Sequence, residues 1–124
     1  DYAHHPDELK ASIRSVRRLY PGRRLTVVFQ PHLYSRTRDF APQFAEALSE
    51  ADEVVLLPIY PAREQPMPGV TSEMILSLVT CAVSHIAERS GLADMLAGMK
   101  PEILLTAGAG DINLLLPEIT ARLS

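Results

Sequence analysis

A chain of 124 residues, 47% hydrophobic and 22% charged, is sized and composed for one globular domain with its own core. Its net charge of −3 offers no basic footprint for nucleic acid, and no apolar run reaches membrane-spanning length. Cys81 is the only cysteine, so an internal disulfide is excluded and a reducing cytoplasm suits the chain.

The chain opens at Asp1, without a Met, as expected of a piece cut from a longer protein. Asp1 to His5 reads as a polar loop. Pro6, Asp7 and Glu8 suit the first turn of a helix, and Leu9, Ile13, Val16 and Leu19 recur at helical spacing until Pro21-Gly22 ends it. Arg24 to Phe29 reads as a buried strand. Phe29-Gln30-Pro31-His32-Leu33-Tyr34-Ser35-Arg36-Thr37-Arg38-Asp39 then reads as a loop, with a helix from about Asp39 to Glu50 and Pro42 in its first turn. Glu53 to Ile59 is the second strand, and its continuous apolar run implies burial on both faces.

Tyr60 to Val70 is a stiff, proline-rich loop. Thr71 or Ser72 caps a helix to about Val79, Cys81 to Ile86 reads as a short third strand, and Ser90 to Met99 as a helix. Glu102 to Thr106 is a further buried strand. Ala107-Gly108-Ala109-Gly110 reads as a tight turn into a last helix, Asp111 to Leu123.

Helices and strands alternate, which predicts an α/β fold: a doubly wound, Rossmann-like, mostly parallel sheet with helices on both faces. Right-handed crossovers place the strand-to-helix loops along one edge, where ligands bind in such sheets. That edge would carry His32 to Arg38, Tyr60 to Gly69 and Gly108 to Asp111. The polar cluster His32, Tyr34, Ser35, Arg36 and Arg38 has little packing value there. Arg36 offers a planar fork for a carboxylate or phosphate, and His32 can donate to an anion or orient a nucleophile. The competing reading, surface pairing of Arg36 and Arg38 with Asp39, is worth little energetically and does not explain the strand-end location.

The other motifs carry less. His4-His5 lacks the further ligands that a zinc site requires, so no metal centre is expected. Gly108-Ala109-Gly110-Asp111 is half a dinucleotide fingerprint, but Asn113 stands where the third glycine would fall, and a turn with a helix cap is the better reading. No phosphate-binding loop of the GxxxxGK[ST] type occurs. Cys81 reads as a core residue. Tyr60, Arg63 and Glu64 stay open between ligand, partner and plain surface.

Three stretches together carry a resemblance: Asp1-Tyr2-Ala3-His4-His5-Pro6, the Gln30-Pro31-His32-Leu33-Tyr34-Ser35-Arg36-Thr37 segment, and Gly108-Ala109-Gly110-Asp111-Ile112. With Tyr60-Pro61-Ala62-Arg63-Glu64 and Pro68-Gly69-Val70, they resemble the carboxyl-terminal domain of a Mur ligase, nearest to the branch that adds L-alanine to UDP-N-acetylmuramate. The first stretch is also shared with a recycling branch that ligates a tripeptide.

The resemblance implies a three-domain enzyme of peptidoglycan synthesis, with residues 1–124 as the third domain. ATP and Mg2+ would be held mainly by the central domain, and the substrate carboxylate would be activated as an acyl phosphate. It implies Asp1 and His5 toward the nucleotide, and Tyr2, His4, His32 and Arg36 toward L-alanine and the reacting carboxyl, with His4, His32 and Arg36 as the catalytic candidates. The partners would be UDP-N-acetylmuramate, L-alanine, ATP and the two other domains. Many members carry Arg where this chain has Leu33, which removes one carboxylate clamp. The domain alone is expected to be inactive. A non-catalytic nucleotide-binding module remains the alternative outside the ligases.

Overall fold

The structure, a computed structural model, describes residues 5–108 and 112–123. Helix α1 spans Pro6–Leu19, strand β1 Leu25–Gln30, helix α2 Tyr34–Leu48, strand β2 Glu53–Leu56 and helix α3 Ser72–Leu76. Strand β3 spans Val83–Ile86, helix α4 Leu92–Met99, strand β4 Ile103–Gly108 and helix α5 Leu116–Leu123. Short 3-10 turns lead into α4 (Arg89–Gly91) and α5 (Ile112–Leu115).

The four strands form one sheet in the order β3-β2-β1-β4, and every pairing is parallel. β1 is central, and all six of its residues are buried, the polar Thr26 and Gln30 included. The chain steps outward from β1 through β2 to β3, then returns across the sheet to β4. With crossovers of one hand, reversing the direction of travel moves the connecting helix to the other face.

The packing follows that rule. Leu9 and Ile13 of α1, Phe44 and Leu48 of α2 and Ile75 of α3 pack with Val27, Phe29, Val54 and Leu56 in one layer. Leu92 and Leu96 of α4 and Ile119 of α5 pack with Val28 and Val55 in the other. Alternate residues of β1 and β2 therefore serve opposite layers, which is the period-two geometry of a strand. The Phe29 and Phe44 rings meet at 5.2 Å and 36°, a tilted contact that anchors α2 on the sheet.

Several expectations need correction. α2 begins at Tyr34, not near Asp39, so Tyr34 to Arg38 are helical rather than loop. Pro42 consequently lies well inside the helix, not in its first turn. β2 ends at Leu56, since Pro58 has no N–H to continue a ladder. α3 is a single short turn of helix, and Leu78 beyond it is exposed. Ala107 and Gly108 belong to β4 rather than to a turn, and Ala109-Gly110-Asp111 lie outside the described residues.

Candidate functional site

The reversal of strand order falls between β1 and β4, and in open parallel sheets ligands bind beyond the carboxyl ends of the strands at that point. There β1 and β4 finish level with each other, Gln30 opposite Gly108. Gly108 has φ +130, and a Cβ built on it would lie 2.4 Å from the carbonyl oxygen of Gln30. Only glycine lets the two backbones come this close.

From Gln30 the chain passes through Pro31 and His32 into α2. Leu33 occupies the N-cap position at φ 71 and provides no side-chain cap. The first turn is held from elsewhere. The N–H of Ser35 donates to Glu64 Oε1 at 3.0 Å, and the Ser35 hydroxyl donates to Glu64 Oε2. α2 has no acidic residue of its own in that turn, so Glu64 supplies the negative charge that a helix N-terminus favours. These two Ser35 hydrogen bonds hold the Glu64 carboxyl below the usual carboxylate range. Within the turn, the Thr37 N–H and hydroxyl both donate to the Leu33 carbonyl, at 3.2 and 3.0 Å.

The segment after β2 returns to the same place. The N–H of Tyr60 donates to the Pro31 carbonyl and the N–H of Leu33 to the Tyr60 carbonyl, each at 2.8 Å, forming a parallel bridge between His32 and Tyr60. The two rings stack at 5.8 Å and 15°. His32 is thereby fixed both by its backbone and by a ring face.

Arg36 completes the pair. Its Nη1 lies 3.3 Å from His32 Nδ1. A guanidinium can only donate, so this hydrogen bond requires an unprotonated Nδ1 and puts the ring proton of neutral His32 on Nε2. Both side chains are half-buried. The site thus presents a fixed cation beside an oriented imidazole at the carboxyl edge of the sheet, an arrangement suited to a carboxylate or phosphate. Arg38, by contrast, pairs with Asp39 at 2.9 Å on the exposed side of α2. That is the surface pairing weighed above, and it involves Arg38 but not Arg36.

Of the other candidates, Asp1, Tyr2 and His4 lie outside the described residues. His5 caps α1, where its N–H donates to Glu8 at 3.0 Å, and its ring meets Phe40 edge-on at 6.3 Å, about one helical turn beyond Arg36. The structure therefore brings His32 and Arg36 into contact and stations His5 further along α2. Glu64 and Tyr60, whose roles the sequence left open, are the residues it adds. The available signal was their position after β2, whose carboxyl end lies beside that of β1.

Beside this site a cleft of about 210 Å³ opens between Tyr34, Pro58, Ile59, Val70 and Glu88. A larger hollow of about 450 Å³ sits at the opposite, amino-terminal edge of the sheet. Its charges satisfy one another, Arg17 with Asp52 at 3.1 Å and Arg23 with Glu102 at 3.0 Å, which leaves little for a ligand. Among the described residues no group of three or more His, Cys, Asp or Glu could hold a metal ion. None of the described helices is long and apolar enough to cross a membrane.

The family model described as "Mur ligase, glutamate ligase domain" matches residues 1–110. The chain belongs to the Mur ligase family. Among its relatives, the UDP-N-acetylmuramate–L-alanine ligase of Parabacteroides distasonis is 52% identical over 119 residues, 96% of this chain and 26% of the relative. The enzyme of the same name from Phocaeicola vulgatus is 50% identical over 125 residues, all of this chain and 27% of the relative. This Mur ligase domain therefore spans about a quarter of the length of the relatives it matches.

Solved structures agree on the fold. A murein peptide ligase from Psychrobacter arcticus superposes with a TM-score of 0.75 at 15% identity, over 99% of this chain and 26% of that one. A domain from a Haemophilus ducreyi ligase, named for UDP-N-acetylmuramate and L-alanyl-γ-D-glutamyl-diaminopimelate, superposes at 0.71 and 19% identity, over 100% of this chain and 88% of that one.

Proposed function

We propose that this Mur ligase domain is the third domain of an ATP-dependent ligase that joins L-alanine to UDP-N-acetylmuramate in peptidoglycan precursor synthesis. The observation that carries this reading is the half-identity, over essentially the whole chain, to relatives bearing that enzyme's name. The ligases of known structure named for peptide substrates share the fold at 15% and 19% identity, too far to speak for the substrate of this chain.

In this reading His32 and Arg36 face the reacting carboxyl and L-alanine, with Arg36 as the carboxylate partner and His32 as a hydrogen-bonding and proton-handling group. Tyr2 and His4 would join them from the amino-terminal loop, and Asp1 and His5 would approach the nucleotide. ATP supplies the phosphoryl group that activates the carboxylate as an acyl phosphate, which the amine of L-alanine then attacks. In this reading Mg2+ and the triphosphate would be held mainly by the central domain of the ligase. Docking of this domain over the other two would bring the carboxyl edge of the sheet onto the substrates and exclude water from the acyl phosphate. Arg36 stands in reach of the role that Leu33 cannot fill.

The test is phosphate release by the full-length ligase with ATP, magnesium and UDP-N-acetylmuramate, with and without L-alanine. Release that depends on L-alanine is expected. Release that depends instead on a tripeptide would assign the enzyme to the recycling branch. Release with neither would remove the ligase reading and leave a nucleotide-binding module.

A further inference from the structure

We propose that Glu64 is a positioning residue for the His32–Arg36 pair: its carboxylate clamps the first turn of α2 and thereby sets where the Arg36 guanidinium meets the His32 ring. This rests on the reading of that pair as the substrate-facing centre, and it assigns a task to the segment after β2.

Three observations carry it. First, α2 starts without a cap of its own. Leu33 sits at φ 71 with no side-chain hydrogen bond into the helix, and no acidic residue occupies the first turn. The N-terminal N–H groups of a helix need an external acceptor. Second, both Glu64 oxygens accept from Ser35, one from its N–H and one from its hydroxyl, with the Tyr34 N–H beside them, and Ser35 adjoins Arg36. Third, the clamp and the stacking ring come from one short segment. Tyr60 holds the backbone on either side of His32 and covers its ring, and the Glu64 N–H closes a turn onto the Pro61 carbonyl at 2.9 Å.

One five-residue unit therefore fixes the imidazole at one end and the guanidinium's helical turn at the other. Removing the carboxylate frees that turn to fray, and Arg36 loses its fixed distance from Nδ1. Misplacement of about 1 Å in such a centre costs up to about a hundredfold in rate.

The experiment uses the full-length ligase and a double-variant cycle of Glu64→Ala with Arg36→Ala. Glu64→Ala is expected to lower kcat/KM for L-alanine-dependent turnover by roughly tenfold to a hundredfold. KM for ATP should stay within about twofold, because the nucleotide is gripped elsewhere. The double variant should be no worse than Arg36→Ala alone, since both changes remove one arrangement. Glu64→Gln keeps one acceptor for the Ser35 N–H and should fall between wild type and Glu64→Ala.

Additive losses, or a uniform loss across all substrates that follows a drop in melting temperature, would overturn the proposal in favour of a plain structural role. Normal turnover in Glu64→Ala together with impaired Arg36→Ala would overturn it while leaving the site reading intact. Normal turnover in Arg36→Ala would overturn both.

Discussion

Gly108 ends β4 directly against Gln30 of β1, so close that a Cβ at position 108 would stand 2.4 Å from the Gln30 carbonyl oxygen. The neighbouring atom is backbone, so no side-chain rotation relieves the clash. The positive φ of Gly108 adds conformational strain to any replacement. Gly108→Ala should therefore lower the domain's unfolding free energy by about 2 kcal/mol or more, and urea unfolding of the 124-residue domain measures it. Gly98, inside α4, has open space where its Cβ would go and no positive φ, so Gly98→Ala should instead raise stability, by up to about 1 kcal/mol.

The carboxylates Glu50, Asp52 and Glu102, in the connections that lead into β2 and β4, make stability fall on acidification. Arg14 donates to Glu50 through Nε at 2.8 Å and Nη2 at 3.1 Å, which holds the Glu50 carboxyl below its usual range against the opposing effect of partial burial. Burial pushes Asp52 up, but the Leu25 N–H and Arg17 outweigh it and leave it lowered. Glu102 is lowered by the N–H of Arg24 and then by Arg23. A carboxyl with a folded pKa below its unfolded value contributes stability that is fully present above the unfolded value, about 4. That contribution is lost as pH falls from there through the lowered folded values. Thermal unfolding should thus be flat in pH from neutrality to about 5 and decline below it. Glu50→Gln should make that decline shallower.

The isolated domain should not turn over. Its described residues supply the imidazole and guanidinium but no phosphate loop and no metal cluster, and ligation requires all of these at once. Incubating the domain with ATP, magnesium, UDP-N-acetylmuramate and L-alanine should release phosphate at the buffer rate. Release above that rate would place the phosphoryl-transfer machinery within these 124 residues.

The parallel sheet was legible because fully buried strands leave a signature that needs no partner: Val27 to Phe29 and Val54 to Leu57 are apolar without alternation. The face that α1 buries followed from the helical spacing of Leu9 and Ile13, both in the core. His32 and Arg36 were legible as residues but not as a pair. Their contact depends on α2 beginning at Tyr34, and nothing local announces that start. Leu33 is no capping residue, and Pro42 imitates a first-turn marker. The deciding partner, Glu64, is 29 positions away. A cap supplied across the fold is invisible to a window that sees only neighbours in sequence. The same holds for the end of β2: Pro58 interrupts the ladder, but the pairing resumes at Tyr60 because Pro31 and Leu33 present a free carbonyl and N–H to it.

The most direct test of the His32–Arg36 centre is kcat/KM for L-alanine-dependent phosphate release by the full-length ligase and its His32→Ala variant, both checked for unchanged melting temperature. The site as built predicts a loss of about a hundredfold or more in the variant. Equal kcat/KM in the two proteins would contradict it, and would return the histidine to a packing role against Tyr60.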